Sequence, residues 1–422
     1  MSSLRRRRGL LVASLATTAL VLAAACAPGE GEQDAIASDG EVSVGFIAPL
    51  TGVVAVAGKE MQEGWDLYWK LNGNKVGDLT VKTIVEDDAG NPDTSLTKAK
   101  RLVEQENVDL IVGPLLANTA LAVSAYTAEV GVPNLHPISA ADDITQRLRN
   151  DLTLRSSAMT GSQMNFPAGD WAYKQGHRTA VTLCPDYAFG WESCGGFSRV
   201  FTESGGEVVE RIWYPLGTQD FSTYITQIQN AGADIAFIGA AGGADGPNIF
   251  KTFNSFGLKG KQAVLTNCCV VDQSTLRTMG AEVEGVNSVS YFTEGADNPA
   301  VKEFTDAYEK AYGRLPSLND AGGWGTAAVL ARALENLGSD FTGEELIAAA
   351  KGLTFEDSIY GKISYDEYNN MTAPVSIREV VQREDGTWWN VPIETYDEVS
   401  QFWTWDPKKY LEGPNYSRDF QG

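Results

Sequence analysis

Histidine is almost missing from this 422-residue chain: there are two, His136 and His177, and neither stands beside a cysteine. Cysteine is scarce too, five residues in all, with Cys268 and Cys269 adjacent and Cys184 and Cys194 at the ends of a short loop. Neither pattern has the CxxC spacing of a zinc site, so no metal or other cofactor is expected. Basic residues are outnumbered, 33 Lys and Arg against 55 Asp and Glu, for a formal charge of −22. Leaving out Arg5 to Arg8 takes that charge to −26. Such a surface repels phosphate backbones and anionic headgroups, which excludes a nucleic-acid partner and a polybasic membrane patch. After Gly40 no apolar run approaches the roughly 20 residues of a membrane helix. Nor is there a nucleophile elbow, an HExxH string or a phosphate loop. A Cys268 or Cys184 thiol with His136 is all an enzyme could be built on, and catalysis is not expected.

What is present in quantity is globular material. Hydrophobic residues make up 43% of the chain and charged residues 21%, and the length suits two large domains or three ordinary ones. The first 25 residues stand apart: a basic cluster, then an apolar run from Gly9 to Ala25, the pattern of an export signal. The string LAAAC ending at Cys26 resembles a bacterial lipoprotein signal, which implies a lipid on Cys26. Ala23, where that pattern prefers Leu, leaves ordinary signal cleavage as the alternative. Residues 26–40, small and acidic, read as a flexible tether. The folded part is therefore expected outside the cytoplasm, anchored to the membrane by its N-terminal lipid. For an exported chain, four remaining cysteines favour disulfides. Cys184 with Cys194 and Cys268 with Cys269 is the favoured pairing, with cross-pairing or free thiols left open.

Beyond Gly40, short β-rich runs alternate with amphipathic stretches. VSVGFIAPL (42–50), LTVKTIVEDD (79–88), VDLIVGP (108–114) and VPNLHPIS (132–139) are separated by segments with apolar residues at helical spacing. A second series starts after Ser157, with TAVTLCPD (179–186), EVVERIWYPL (207–216), ADIAFIGA (233–240), QAVLTN (262–267) and VNSVSYF (286–292). Strand, helix and strand in repeated units call for parallel pairing through right-handed crossovers. The restart predicts two doubly wound α/β lobes rather than one wide sheet. β-like runs return at 360–367, 375–384 and 387–396, so the chain is expected to cross between lobes near 157, 291 and 358, forming a three-strand hinge. The lobes are read as 41–157 with 292–357 and 158–291 with 358–395. The aromatic tail, 396–422, is expected to pack on a lobe.

The opening VSVGFIAPLTG, the stretch IVEDDAGNPDTSLTKAKRLVEQENVDLIVGP, the turn VPNLHPISAADDIT and the later GTAAVLARALENLG resemble leucine/isoleucine/valine-binding proteins, the type I solute-binding proteins of ABC importers. The resemblance runs over about 42–395. It implies a Venus-flytrap molecule, a monomer that takes a small solute between its lobes and delivers it to permease subunits. In that family, loops matching Ala117, Asn118 and Thr119 and matching Ser139 and Ala140 hold a ligand carboxylate. Here Ala117 and Ala140 replace the usual hydroxyl residues, and Asn118 and Ser139 are equally suited to capping the helices that follow.

The acid that meets a ligand ammonium in the family aligns with Cys268 or Cys269, with Asp272 displaced by a few residues. The aromatic usual after the strand at 233–238 is replaced by small residues around Ala241, where Asp245 reads as an exposed loop acid. Phe189 and Trp191 remain as ring platforms, Asn319 aligns with a cleft-lining position, and Trp324 reads as core. Losing the acid and gaining space imply a bulkier, less cationic ligand than leucine, an aromatic or other organic acid. The alternatives are a true branched-chain amino-acid binder and a ligand-sensing lipoprotein.

Overall fold

A computed structural model of the protein describes residues 36–422. The leader over 1–25, Cys26 and most of the tether lie outside the described residues. The part of the tether that is described is packed rather than loose. Ile36 and Ala37 are buried, and the Ile36 N–H donates to the Phe341 carbonyl at 2.7 Å. One apolar side chain in an otherwise polar string is enough to dock it, because burial removes that side chain from water.

The first lobe opens with β1 (Glu41–Ala48), α1 (Ala55–Leu71), β2 (Lys75–Val76), β3 (Leu79–Asp87) and α2 (Pro92–Glu104). It continues through β4 (Leu110–Val112), α3 (Ala117–Glu129), β5 (Asn134–Leu135) and β6 (Thr153–Leu154). The sheet order is β2-β3-β1-β4-β5-β6, parallel except for the β2 hairpin. β1 is buried continuously from Gly45 to Ala48, as a central parallel strand covered on both faces must be. α2 starts where Asn91 accepts from the Thr94 N–H and Pro92 takes the first helical position.

The second lobe comprises α4 (Phe166–Lys174), β7 (Thr179–Pro185), α5 (Ala188–Glu203), β8 (Glu207–Tyr214), α6 (Ser222–Ala231), β9 (Ile235–Ile238), α7 (Asp245–Ser255), β10 (Ala263–Thr266), α8 (Gln273–Met279) and β11 (Asn287–Ser290). The chain then returns to the first lobe for α9 (Pro299–Tyr312), α10 (Leu318–Leu337) and α11 (Gly343–Lys351). It comes back through β12 (Phe355–Ser358), β13 (Gly361–Tyr365), β14 (Met371–Gln382) and β15 (Trp388–Val399), and ends after α12 (Pro407–Glu412). The second sheet runs β12-β13-β14-β11-β10-β9-β7-β8, with β15 on β14. The protein is thus a two-lobed α/β molecule with doubly wound halves. Among the described residues no helix is long and apolar enough to cross a membrane.

Each lobe has its own core, one around Phe46, Trp65, Leu110 and Leu330 and one around Leu183, Tyr214, Phe221 and Phe250. In the first, α1 and α10 meet backbone to backbone. A Cβ on Gly64 would stand 1.9 Å from the Asp320 carbonyl oxygen, and one on Gly323 would stand 2.0 Å from that of Met61. Gly64→Ala must push the helices apart and should cost about 1–3 kcal/mol. The check is a urea melt: a lower midpoint at unchanged slope is expected, and an unchanged midpoint would mean the helices are not so tightly held. Near the C-terminus, Phe402, Tyr410 and Tyr416 gather around Tyr368, and Arg199 is stacked 3.8 Å over Trp405.

Candidate functional site

Parallel strands in both lobes end toward the gap between them, and the loops that follow build one small cavity of about 40 Å³. The first lobe contributes Leu115, Leu116 and Ala117 after β4, Ile138 and Ala140 after β5, and Leu318 and Asn319 from the start of α10. The second contributes Tyr187 and Phe189 after β7, Ala241 after β9, and Cys268 and Cys269 after β10. Met164 and Tyr291 enter from the segments that cross between lobes. Gly113 makes the β4 turn possible: its φ is +97°, and a Cβ there would stand 2.2 Å from the Ile47 carbonyl oxygen.

Of the residues singled out in the sequence, Ala117, Ala140, Phe189, Ala241, Cys268, Cys269 and Asn319 come together on this wall. Asn118, Thr119, Ser139 and Trp191 do not line it. Asn118 is exposed, and α3 begins at Leu116 with no side-chain cap. Thr119 turns its hydroxyl back to donate to the Leu116 carbonyl at 2.8 Å. Ser139 is buried with no partner for Oγ and caps nothing, since the short turn at Asp142 starts from Ala141. Trp191 lies one turn into α5, where Nε1 donates to Asp186 at 2.9 Å. Asp245 is buried rather than exposed: it opens α7 beneath the 217 loop and accepts from the Gly217 N–H, and burial pushes its carboxyl up to about 6.

Cys184 and Cys194 are bonded, tying the end of β7 to α5. Cys268 and Cys269 are free thiols with their Sγ atoms 2.9 Å apart, contrary to the expected second disulfide. Their turn is held by other bonds. Arg378 donates to the Cys268 carbonyl at 2.7 Å, and the Cys269 N–H donates to Asn267 at 3.3 Å. Closing an eight-membered ring would have to distort that anchored backbone.

The lining holds no charged side chain, but two sources of positive potential stand at one end. The first-turn N–H groups of α3, at Ala117, Asn118 and Thr119, have no intrahelical carbonyl to meet. Behind the loop after β5 lies Arg155, fully buried, donating to the carbonyls of Ser139 and Ala141 and to Asn370. Burial lowers this guanidinium to about 10, and its nearest acids answer to burial as well. Asp142 accepts from the Ser162 N–H and hydroxyl and is pushed up to about 6. Glu192, which accepts from the Asp142 N–H at 2.9 Å, is pushed well above the usual carboxylate range by burial and by the Asp142 charge. At the other end, burial holds the Tyr187 and Tyr291 hydroxyls well above their ordinary value.

Across the mouth the lobes are bonded to each other. Arg277 of α8 pairs with the buried Glu60 of α1, and Asp272 accepts from the Leu318 N–H at 2.9 Å. Asn319 donates to Glu60 at 3.4 Å. The acid nearest in sequence to the cysteines therefore serves the lobe contact and is spent on backbone N–H groups.

Arg155, Met164, Tyr291 and the Asp142–Glu192 pair escaped sequence reasoning. Three of these five positions lie on or beside crossing segments, and the usable signal was the polar string around Arg155, Ser156 and Ser157 where a hinge was expected.

A model of the family described as periplasmic binding protein matches residues 41–387. Leu/Ile/Val-binding protein homolog 6 of Brucella melitensis is 29% identical over 361 residues, 84% of this chain and 92% of that relative. Among solved structures, a solute-binding protein of an ABC transporter from Rhodopseudomonas palustris BisB5, in complex with 3,4-dihydroxybenzoic acid, is 31% identical with a TM-score of 0.81. It covers 86% of this chain and 99% of that one. Another from R. palustris, in complex with 4-hydroxybenzoate, is 27% identical with a TM-score of 0.81, over 86% and 98% of the two chains.

Proposed function

The chain belongs to the periplasmic binding protein family, and from that premise we propose that it captures a small aromatic carboxylic acid between its lobes. Proteins of this family work outside the cytoplasm, binding small solutes for ABC transporter permeases. In this reading the protein is a monomer, anchored through a lipid on Cys26, that hands its solute to the permease chemically unchanged. Its lobes run over 41–157 with 292–357 and over 158–291 with 358–395, and the tail 396–422 rides on the second.

The observation that carries the ligand class is the lining itself: aromatic and thiol faces, helix N–H groups at one end, and no carboxylate among the described lining residues. An ammonium shut in this cavity would stay unpaired at a cost of several kcal/mol. A carboxylate at the start of α3 meets backbone N–H groups and the positive end of the helix dipole. Ala117, Asn118 and Thr119 serve through those N–H groups, so their side chains are free to vary, and Ala140 lines the cavity from the loop after β5. The ring of the solute lies against Phe189, Tyr187 and Tyr291, gaining burial and aromatic contact. The two Rhodopseudomonas relatives, with dihydroxybenzoic and hydroxybenzoic acid in place, support the same class.

Calorimetric titration tests this reading. Heat of binding is expected for 4-hydroxybenzoate and 3,4-dihydroxybenzoate, and none for tyrosine, which adds an ammonium to a similar ring. Tight leucine or valine binding with no heat from the aromatic acids would overturn it.

A further inference from the structure

On the first-lobe side of the mouth, one hydroxyl stands between two carboxylates. Tyr308 Oη of α9 is in hydrogen-bond contact with Asp320 Oδ1 and lies 2.8 Å from Glu63 Oε2. A phenol has a single hydrogen, so it can donate to only one of them. The other contact sets lone pair against lone pair unless an acid brings a proton of its own. Asp320 is the acid placed to do so. It is fully buried, and Tyr308 is the partner of its Oδ1, whereas its Oδ2 accepts from the Ser317 N–H at 2.7 Å, from the Ser317 hydroxyl at 2.8 Å and from Arg314 at 3.2 Å. Glu63 is partly exposed and paired with Arg314. A proton on Asp320 Oδ1 donates to Tyr308, and Tyr308 then donates to Glu63. Burial and the neighbouring Glu60 charge push the Asp320 carboxyl up to about 8, against the pull of Arg314.

This acid lies directly behind the contact between the lobes. Asp320 is the third residue of α10 and completes a capping box with Ser317. The two residues before it, Leu318 and Asn319, line the cavity. Leu318 gives its N–H to Asp272 of the second lobe, and Asn319 donates to Glu60, which is buried and pairs with Arg277 of the second lobe. The corner thus sets Glu60, Glu63, Asp272 and Asp320 against Arg277 and Arg314, with the Tyr308 and Tyr312 hydroxyls beside them. Closing the lobes takes this surplus of negative charge out of water, and one bound proton offsets part of the cost. We propose that Asp320 holds a proton that keeps the lobes closed, and that the protein loosens its hold on the solute as that proton leaves for solvent. Separating the lobes frees the Leu318 N–H from Asp272 and lets water reach the first turn of α10, where it solvates an ionised Asp320. Arg277 departs as well, but its partner is Glu60. The inference rests on solute capture between the lobes and not on which solute is captured.

Affinity for benzoate, an aromatic acid with no group titrating near neutral pH, is measured by calorimetry from about pH 6 to about pH 8.5. The parent is expected to weaken about 5-fold or more over that range, the lower end of coupling between linked sites. Asp320→Asn, whose amide donates to Tyr308 as the protonated acid does, should match the parent at the acid end and stay flat. Glu63→Gln leaves the Tyr308 hydrogen free for an ionised Asp320, so the step should move to lower pH. Urea melts of the solute-free protein give a second readout. The parent should lose stability relative to Asp320→Asn as pH rises from about 5 to about 8, because the folded acid keeps a proton that the unfolded one has released. If benzoate does not bind, the aromatic-acid reading fails and the melts still test the proton. A parent affinity profile parallel to that of Asp320→Asn would overturn the proposal, as would a Glu63→Gln step at the parent's pH or a stability difference that does not change with pH.

Discussion

Replacing Arg155 with methionine is expected to lower stability by about 3–5 kcal/mol, because several buried acceptors lose their donor at about 1–3 kcal/mol each. Arg155 is fully buried and donates to two backbone carbonyls, of Ser139 and Ala141, as well as to Thr145 and Asn370. Its removal leaves those acceptors short of a donor and takes away a positive charge that favours the ionised Asp142 carboxylate. Acid should shrink the deficit. Asp142, pushed up to about 6 by burial, protonates as pH falls below that value and then no longer needs a countercharge. The gap between parent and Arg155→Met in urea melts is therefore expected to be smaller at about pH 5 than at about pH 8. A gap independent of pH would mean the arginine acts by packing alone. Solute binding should fall with stability, because the same guanidinium holds the loop that carries Ala140 into the cavity.

The second large effect concerns acid stability. His136 is fully buried next to that loop, its Nε2 2.8 Å from Ser124 Oγ and its Nδ1 without a partner. Ser124 in turn donates to Asn134 at 3.0 Å, which leaves the Nε2–H tautomer to donate to the serine. Burial, with a further push from Arg155, lowers this imidazole from 6.5 to about 3. The sign follows from proton counting. Between those two values the unfolded chain binds a proton that the folded one refuses, so stability is full above 6.5 and is lost as pH falls toward 3. At about pH 4.5 the loss amounts to about 3 kcal/mol, two pH units at 1.36 kcal/mol each. Asp142 works the other way over part of this range, because protonation relieves it. The measurement is thus the difference in unfolding free energy between the parent and His136→Gln at about pH 7.5 and about pH 4.5. The variant should gain relative to the parent on acidification, and a constant difference would show that His136 is protonated in the folded state.

Legibility from sequence followed how each feature is encoded. The lobes were readable because a parallel strand buried on both faces, such as Val44 to Ala48, is a continuous apolar run, and because such runs restart after Ser157. Loop residues were legible where position alone decides, as for Ala117, Ala140 and Asn319, which keep their places whatever their side chains do. The sequence misled where direction decides. Asn118 and Trp191 sit in the right loops, but the helical turn aims one at solvent and the other at Asp186. Asp245 looked exposed beside glycines, yet a helix start beneath another loop buries it. Arg155, Asp142 and Glu192 form a network across residues far apart in the chain, which no local pattern records.

A crystal structure of the protein with 4-hydroxybenzoate tests the central claim most directly. The account predicts the carboxylate at the N–H groups of Ala117 to Thr119, the ring against Phe189 and Tyr291, and no protein carboxylate touching the solute. A solute bound elsewhere, or one turned so that its carboxylate faces Cys268 and Cys269, would contradict it.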